Sequence, residues 1–118
     1  MRTISLLALA MLSSASPASA HAFLEHASPP AGSEVVASPP EVSMTFTERV
    51  EPLFSTIEVR DANGAAVSAG GLHVAPDNNR RLSIALTKLP PGIYTVIWHA
   101  TSVDTHKTEG SYRFTVTH

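Results

Sequence analysis

Residues 90–116 read PPGIYTVIWHATSVDTHKTEGSYRFTV, and this stretch decides the fold. Residues 94–100 are rich in Val, Ile and Trp, while Tyr112, Phe114 and Val116 alternate with Ser111, Arg113, Thr115 and Thr117. Side chains on a strand point to opposite faces in turn, so a period of two means one face packs and the other meets water. Working outward, residues 42–46 place Val, Met and Phe against Ser and Thr. Ile57 and Val59 alternate with Thr56, Glu58 and Arg60, and Leu82, Ile84 and Leu86 alternate with Ser83, Ala85 and Thr87. Pro29-Pro30, Pro39-Pro40, Gly70-Gly71 and Pro90-Pro91-Gly92 punctuate these runs, and Asp61-Ala62-Asn63-Gly64 is a turn of the Asn-Gly type. Beyond residue 20 no window of helical length carries a clean 3.6 period. About seven short strands separated by turns predict an all-β chain folded as an antiparallel sandwich. Phe23, Leu53, Phe54 and Trp98 are expected in the core or at the sandwich edge, with Trp98 inside. His73 falls in a Gly-rich loop.

The start of the chain has a different character. Arg2, the apolar run ISLLALAML at residues 4–12, Pro17 and the triplet Ala18-Ser19-Ala20 form a secretory signal with an A-x-A cleavage site. Residues 1–20 are expected to be removed, leaving residues 21–118 as one domain of 98 residues with a modest core. The apolar run falls short of the roughly 20 residues of a spanning helix, so no direct membrane insertion is expected. The chain has no cysteine, hence no thiolate for zinc, iron–sulfur or blue-copper chemistry. An exported domain without disulfides fits a bacterial periplasm. Removing Arg2 leaves seven Lys and Arg against ten Asp and Glu, and nucleic acid would favour a basic face instead.

Cleavage before His21 would leave an α-amine beside an imidazole. The amine nitrogen, Cα, Cβ, Cγ and Nδ1 close a six-membered ring on one metal ion, which no internal histidine can do. The amine has an ordinary pKa of about 7.7–8.0, so a strong Lewis acid displaces its proton readily at neutral pH. An N-terminal histidine alone can be accidental. Asp104 and His106 are spaced i, i+2 and would share a face if that stretch were extended, although Asp-x-His is also an ordinary turn pattern. Together with His21 they offer an amine, two imidazoles and a carboxylate, a nitrogen-rich set that suits Cu(II). Glu48 follows the strand at residues 42–46. Most surface glutamates are merely solvated, but this one could orient an imidazole or the amine. His26, His73, His99 and His118 are better read as solvated or structural. No G-x-S-x-G, phosphate-cradling glycine loop or H-E-x-x-H motif is present.

At this point the sequence resembles the CopC family of periplasmic copper-binding proteins. HAFLEHASPPAGSEV, VSMTFTERVEP and LPPGIYTVIWHATSVDTHKTEGSYRFTV carry the likeness, together with A-x-A followed directly by His. The most specific part is a strand ending in Trp, then Ser-x-Asp-x-His, then Gly and a final aromatic strand. The resemblance implies a small Greek-key β-sandwich or barrel of the cupredoxin- or immunoglobulin-like kind. It also implies a Cu(II) site made by the amine and Nδ1 of His21, the imidazole of His106 and the carboxylate of Asp104, with Glu48 supporting. Some family members add a Cu(I) site in a Met-rich loop. Here residues 58–76 contain no methionine, and Met44 is the single one left after cleavage, so Cu(II) alone is expected. The implied role is copper sequestration, transport or resistance without catalysis. The implied form is a monomer in the periplasm, with an inner-membrane copper transporter resembling CopD as partner. The alternative is a histidine-brace oxygenase resembling lytic polysaccharide monooxygenases. The small size of the chain and a carboxylate occupying the position oxygen needs speak against it.

Overall fold

Strand alternation becomes two facing sheets in a computed structural model of the protein, which describes residues 23–118. The strands are β1 (Leu24–Ser28), β2 (Glu34–Val35), β3 (Glu41–Phe46), β4 (Thr56–Arg60), β5 (Ser68–Ala75), β6 (Asn78–Leu86), β7 (Gly92–Thr101) and β8 (Lys107–Val116). A one-turn 3-10 helix, Pro52–Phe54, lies between β3 and β4. One sheet has the order β1-β3-β6-β5 and the other β2-β8-β7-β4. Seven of these strands have five or more residues, and the eighth, β2, is a two-residue piece lying parallel to β8. No helix among the described residues is long and apolar enough to cross a membrane.

The inward rows meet between the sheets. Val42, Met44 and Phe46 of β3 and Leu82 and Ile84 of β6 face Ile57 and Val59 of β4, Tyr94, Val96, Trp98 and Ala100 of β7, and Phe114 and Val116 of β8. All are buried, Met44 completely. Burying each such side chain contributes about 1.5–3 kcal/mol, which offsets the entropy of ordering the strands. Trp98 is in the core as expected, 7% exposed, with its ring edge-on to Phe46 at a centroid distance of 5.4 Å. Gly110 lies opposite Trp98 in the β7–β8 ladder. A Cβ there would sit 2.7 Å from Trp98 Cζ2, so the glycine is the space that the indole fills.

Three expectations change. His73 is in a strand, β5, rather than a loop. Gly70, at φ +80°, absorbs the register shift between Ala69 and Leu72, so the glycine pair bends the strand instead of ending it. Phe23, Leu53 and Phe54 are exposed, at 43%, 87% and 70%. The 3-10 helix carrying Leu53 and Phe54 buries none of its residues. The Asn-Gly turn forms as read: Asp61 Oδ1 accepts the amides of Asn63 and Ala65, both at 2.9 Å, and Gly64 takes φ +85°.

Two features position the site. First, β7 and β8 pair without interruption from Gly92↔Val116 to Thr101↔Lys107, which leaves residues 102–106 as a tight loop at one end of the sandwich. Second, β1 carries a bulge: Leu24 pairs with Phe46 but His26 with Thr45. One extra residue there re-aims the start of the chain. Phe23 then docks beside the end of β3, its amide donating to Thr47 Oγ1 at 2.9 Å and its carbonyl accepting the Thr47 amide at 2.8 Å.

Candidate metal centre

The hairpin loop is built from the backbone upward. The Ser102 amide donates to the His106 carbonyl at 2.9 Å, and the Thr105 amide to the Ser102 carbonyl at 2.8 Å. Thr105 adopts φ 74°, a left-handed conformation that is rare for a β-branched residue. Backbone held in such a region costs of order 1–3 kcal/mol and persists where its surroundings over-determine it. Here it reverses the chain between Asp104 and His106, so the two meet across a turn and not along an extended segment.

The meeting is direct. His106 Nδ1 lies 3.1 Å from Asp104 Oδ2. The Ser102 hydroxyl donates to Asp104 Oδ1, which the His106 amide also approaches at 3.3 Å. The Ser102 hydroxyl bond, then the imidazole bond, then the His106 amide hold the Asp104 carboxyl down at about 2, below its ordinary range. Asp104 and His106 are both about half exposed, so the loop presents these groups to solvent.

The support beneath the loop is polar and buried. Ser55, Thr101 and Ser102 are the buried polar side chains among the described residues, and all three lie at this end. The Ser55 hydroxyl donates to the Glu51 carbonyl at 2.7 Å and accepts the Thr101 amide at 3.1 Å, while the Thr101 hydroxyl donates to the Phe54 carbonyl at 2.8 Å. Buried polar groups require such partners, and satisfied networks hold one geometry. Ser55 and Thr101 gave no signal in the sequence. Ser102 was visible only as the first position of Ser-x-Asp-x-His.

The placement of the expected site residues is uneven. Asp104 and His106 come together. Glu48 is half-buried in the stretch that follows β3, next to the loop: Val50 bridges to Ser102, and the Val103 amide donates to the Arg49 carbonyl at 3.2 Å. Among the described residues the Glu48 carboxylate makes no ion pair. His21 lies outside the described residues. No group of three or more His, Cys, Asp or Glu side chains able to hold a metal is found among the described residues. The loop therefore brings one carboxylate and one imidazole together at the surface, donor types that suit a borderline divalent ion when joined by further nitrogen donors. His99 instead pairs with Glu109 across the strands at 3.1 Å, and His26 lines a surface groove with Ser43, Thr45 and Arg81.

Ser102 is a testable part of this arrangement. Ser102→Ala should raise the Asp104 pKa from about 2 toward the ordinary value near 3.9, read from the carboxyl carbon shift during acid titration. An unchanged titration would mean that the hydroxyl does not hold the carboxylate.

The family model described as the CopC domain matches residues 24–117. Protein YobA of Escherichia coli K12 is 37% identical over 98 residues, spanning 82% of this chain and 79% of its own length. The copper transport protein CutJ of Bacillus subtilis is 34% identical over 98 residues, again 82% of this chain but 18% of its own length. The crystal structure of CopC from Methylosinus trichosporium OB3b superposes with a TM-score of 0.77 at 39% identity, covering 82% of this chain and 94% of that one.

Proposed function

The chain belongs to the CopC family, and from that membership we propose that it holds Cu(II) as cargo in the periplasm and turns over no substrate. The observation that carries this reading is the Asp104–His106 pair, with the first described residue, Phe23, clamped to Thr47 next to the stretch that hydrogen-bonds the same loop. Phe23 is two positions along the chain from His21, a reach of at most about 7 Å of extended chain. The amine and Nδ1 of His21 would supply the nitrogen chelate, His106 a third nitrogen and Asp104 a carboxylate oxygen. Glu48 orients the nitrogen donors from the neighbouring stretch. Nitrogen-rich donors with one oxygen favour Cu(II), and Met44, fully buried in the core, offers no thioether to Cu(I). The signal at residues 1–20 directs the chain to the periplasm. There it acts as a monomer and passes copper to an inner-membrane transporter resembling CopD.

The test is a Cu(II) competition titration on protein beginning at His21. One equivalent is expected at neutral pH, and no stoichiometric uptake would end the copper reading. His106→Ala should lower affinity by about 100-fold or more, since even groups outside the ligand set cost 10- to 100-fold. Asp104→Asn should lower it by a factor that stays constant between about pH 5 and 8. A depressed carboxyl keeps its charge until the pH falls to its own pKa, here about 2, so acid weakens binding through the nitrogen donors, which must shed protons. A factor that shrinks toward pH 5 would mean that Asp104 titrates there.

A further inference from the structure

Six large apolar side chains are exposed among the described residues, and four of them, Phe23, Leu53, Phe54 and Val103, are tied to the 47–55 stretch that hydrogen-bonds the 102–106 loop. Each lies in the stretch from Thr47 to Ser55 or is joined to it by a backbone hydrogen bond. Phe23 is bonded to Thr47, Val103 to Arg49, and Leu53 and Phe54 form the 3-10 helix. The other two, Val36 and Ile93, lie elsewhere on the chain.

The 3-10 helix is pinned rather than loose. Its entry is fixed by the Glu51 amide on the Thr101 carbonyl at 2.8 Å, and its exit by the Thr101 hydroxyl on the Phe54 carbonyl at 2.8 Å. Thr101 leads directly into Ser102 and the loop. Leu53 and Phe54 are thus held in the solvent on a fixed backbone, with little entropy left to lose. Exposed apolar anchors on an ordered element are what a protein partner uses. Phe54 also borders a groove of about 510 Å³ with Thr101 and Lys107, which continues the surface from the apolar anchors toward β8.

In the Bacillus copper transport protein the matching segment is 18% of the chain, so a domain of this kind there adjoins a much longer polypeptide in a copper transport protein. We propose that the Leu53–Phe54 knob is the docking point for the polypeptide that receives copper from the loop, the counterpart of that remaining four-fifths. This rests on the copper reading above. Seating a partner on the knob puts its surface next to the Asp104–His106 loop, so copper can pass without crossing bulk water.

The experiment places a photo-reactive phenylalanine analogue at position 53, 54, 36 or 93 of the full chain in its native cells. Adducts are identified by mass spectrometry. Positions 53 and 54 should give an adduct with a copper transport protein, and positions 36 and 93 should not. Adding Leu53→Ser to the probe at 54 should cut the adduct about tenfold, a hot-spot-sized loss. Purified Leu53→Ser/Phe54→Ser should still bind Cu(II) within about twofold of the parent, because neither side chain is a donor. No adduct, an adduct from all four positions, or one with a second copy of this chain or with a protein unrelated to copper would each overturn the docking proposal. Failure of the parent protein to bind Cu(II) would instead strike the reading beneath it.

Discussion

A single alanine added ahead of His21 should lower Cu(II) affinity by about 100-fold or more, although it alters no side chain. The addition converts the nitrogen of His21 from an amine to an amide. An amine with a pKa near 7.7–8.0 gives up its proton to a Lewis acid at neutral pH, whereas an amide nitrogen carries its lone pair into resonance with the carbonyl. The six-membered ring opens, and His21 is left with one donor instead of two. Reach is unaffected, because the alanine extends the free end and the Phe23–Thr47 clamp stays where it is. The comparison is made by competition titration against the form beginning at His21, with circular dichroism confirming equal folding. Equal affinity of the two forms would remove the amine from the site.

Gly110→Ala should destabilise the fold by about 1–3 kcal/mol, the usual cost of forcing a methyl group into a filled core. The new carbon would meet Trp98 at Cζ2, Cε2 and Nε1, at 2.7, 3.0 and 3.2 Å. On its core side the indole packs against Phe46, which is fully buried, and the backbone that carries it is fixed by the β7–β8 ladder. Gly71→Ala is the control, since nothing lies within 4 Å of its Cβ position. Urea unfolding should show the first change lowering the midpoint at unchanged slope while the second leaves it nearly unmoved. A Gly110→Ala protein as stable as the parent would show that the indole relocates at little cost.

The sequence revealed those elements whose physics is local. The alternation of residues 42–46, 56–60, 82–86 and 111–116 reflects one buried face each, and each of these runs lies in a strand. β5 was hidden because Gly70-Gly71 has the composition of a turn, and only the bulge geometry shows the strand passing through. Phe23, Leu53 and Phe54 were misplaced because apolar character states a preference for burial, not whether an opposing surface exists. Asp104 and His106 were singled out as a pair, but extended alternation does not describe how they meet. A left-handed Thr105 brings them together, and nothing in a threonine announces that conformation. Ser55 and Thr101, which brace the loop from beneath, act through contacts 46 and 47 residues distant in sequence.

The ten uninterrupted pairs of β7 with β8 also bear on how firmly each half of the proposed site is held. A hairpin closed by a five-residue loop needs little loop entropy and forms from neighbours in sequence. Its inner positions carry Trp98, Ala100 and Phe114, so it belongs to the last region to open in the native state. β1, by contrast, is a bulged edge strand bonded on one side only. The carboxylate and imidazole therefore stand on the most persistent part of the molecule, and the chain leading to His21 hangs from one of the easiest parts to lift. Under the copper reading proposed above, uptake and release of an ion would need only the β1 edge to open, with the barrier set by a few edge hydrogen bonds and not by the stability of the fold.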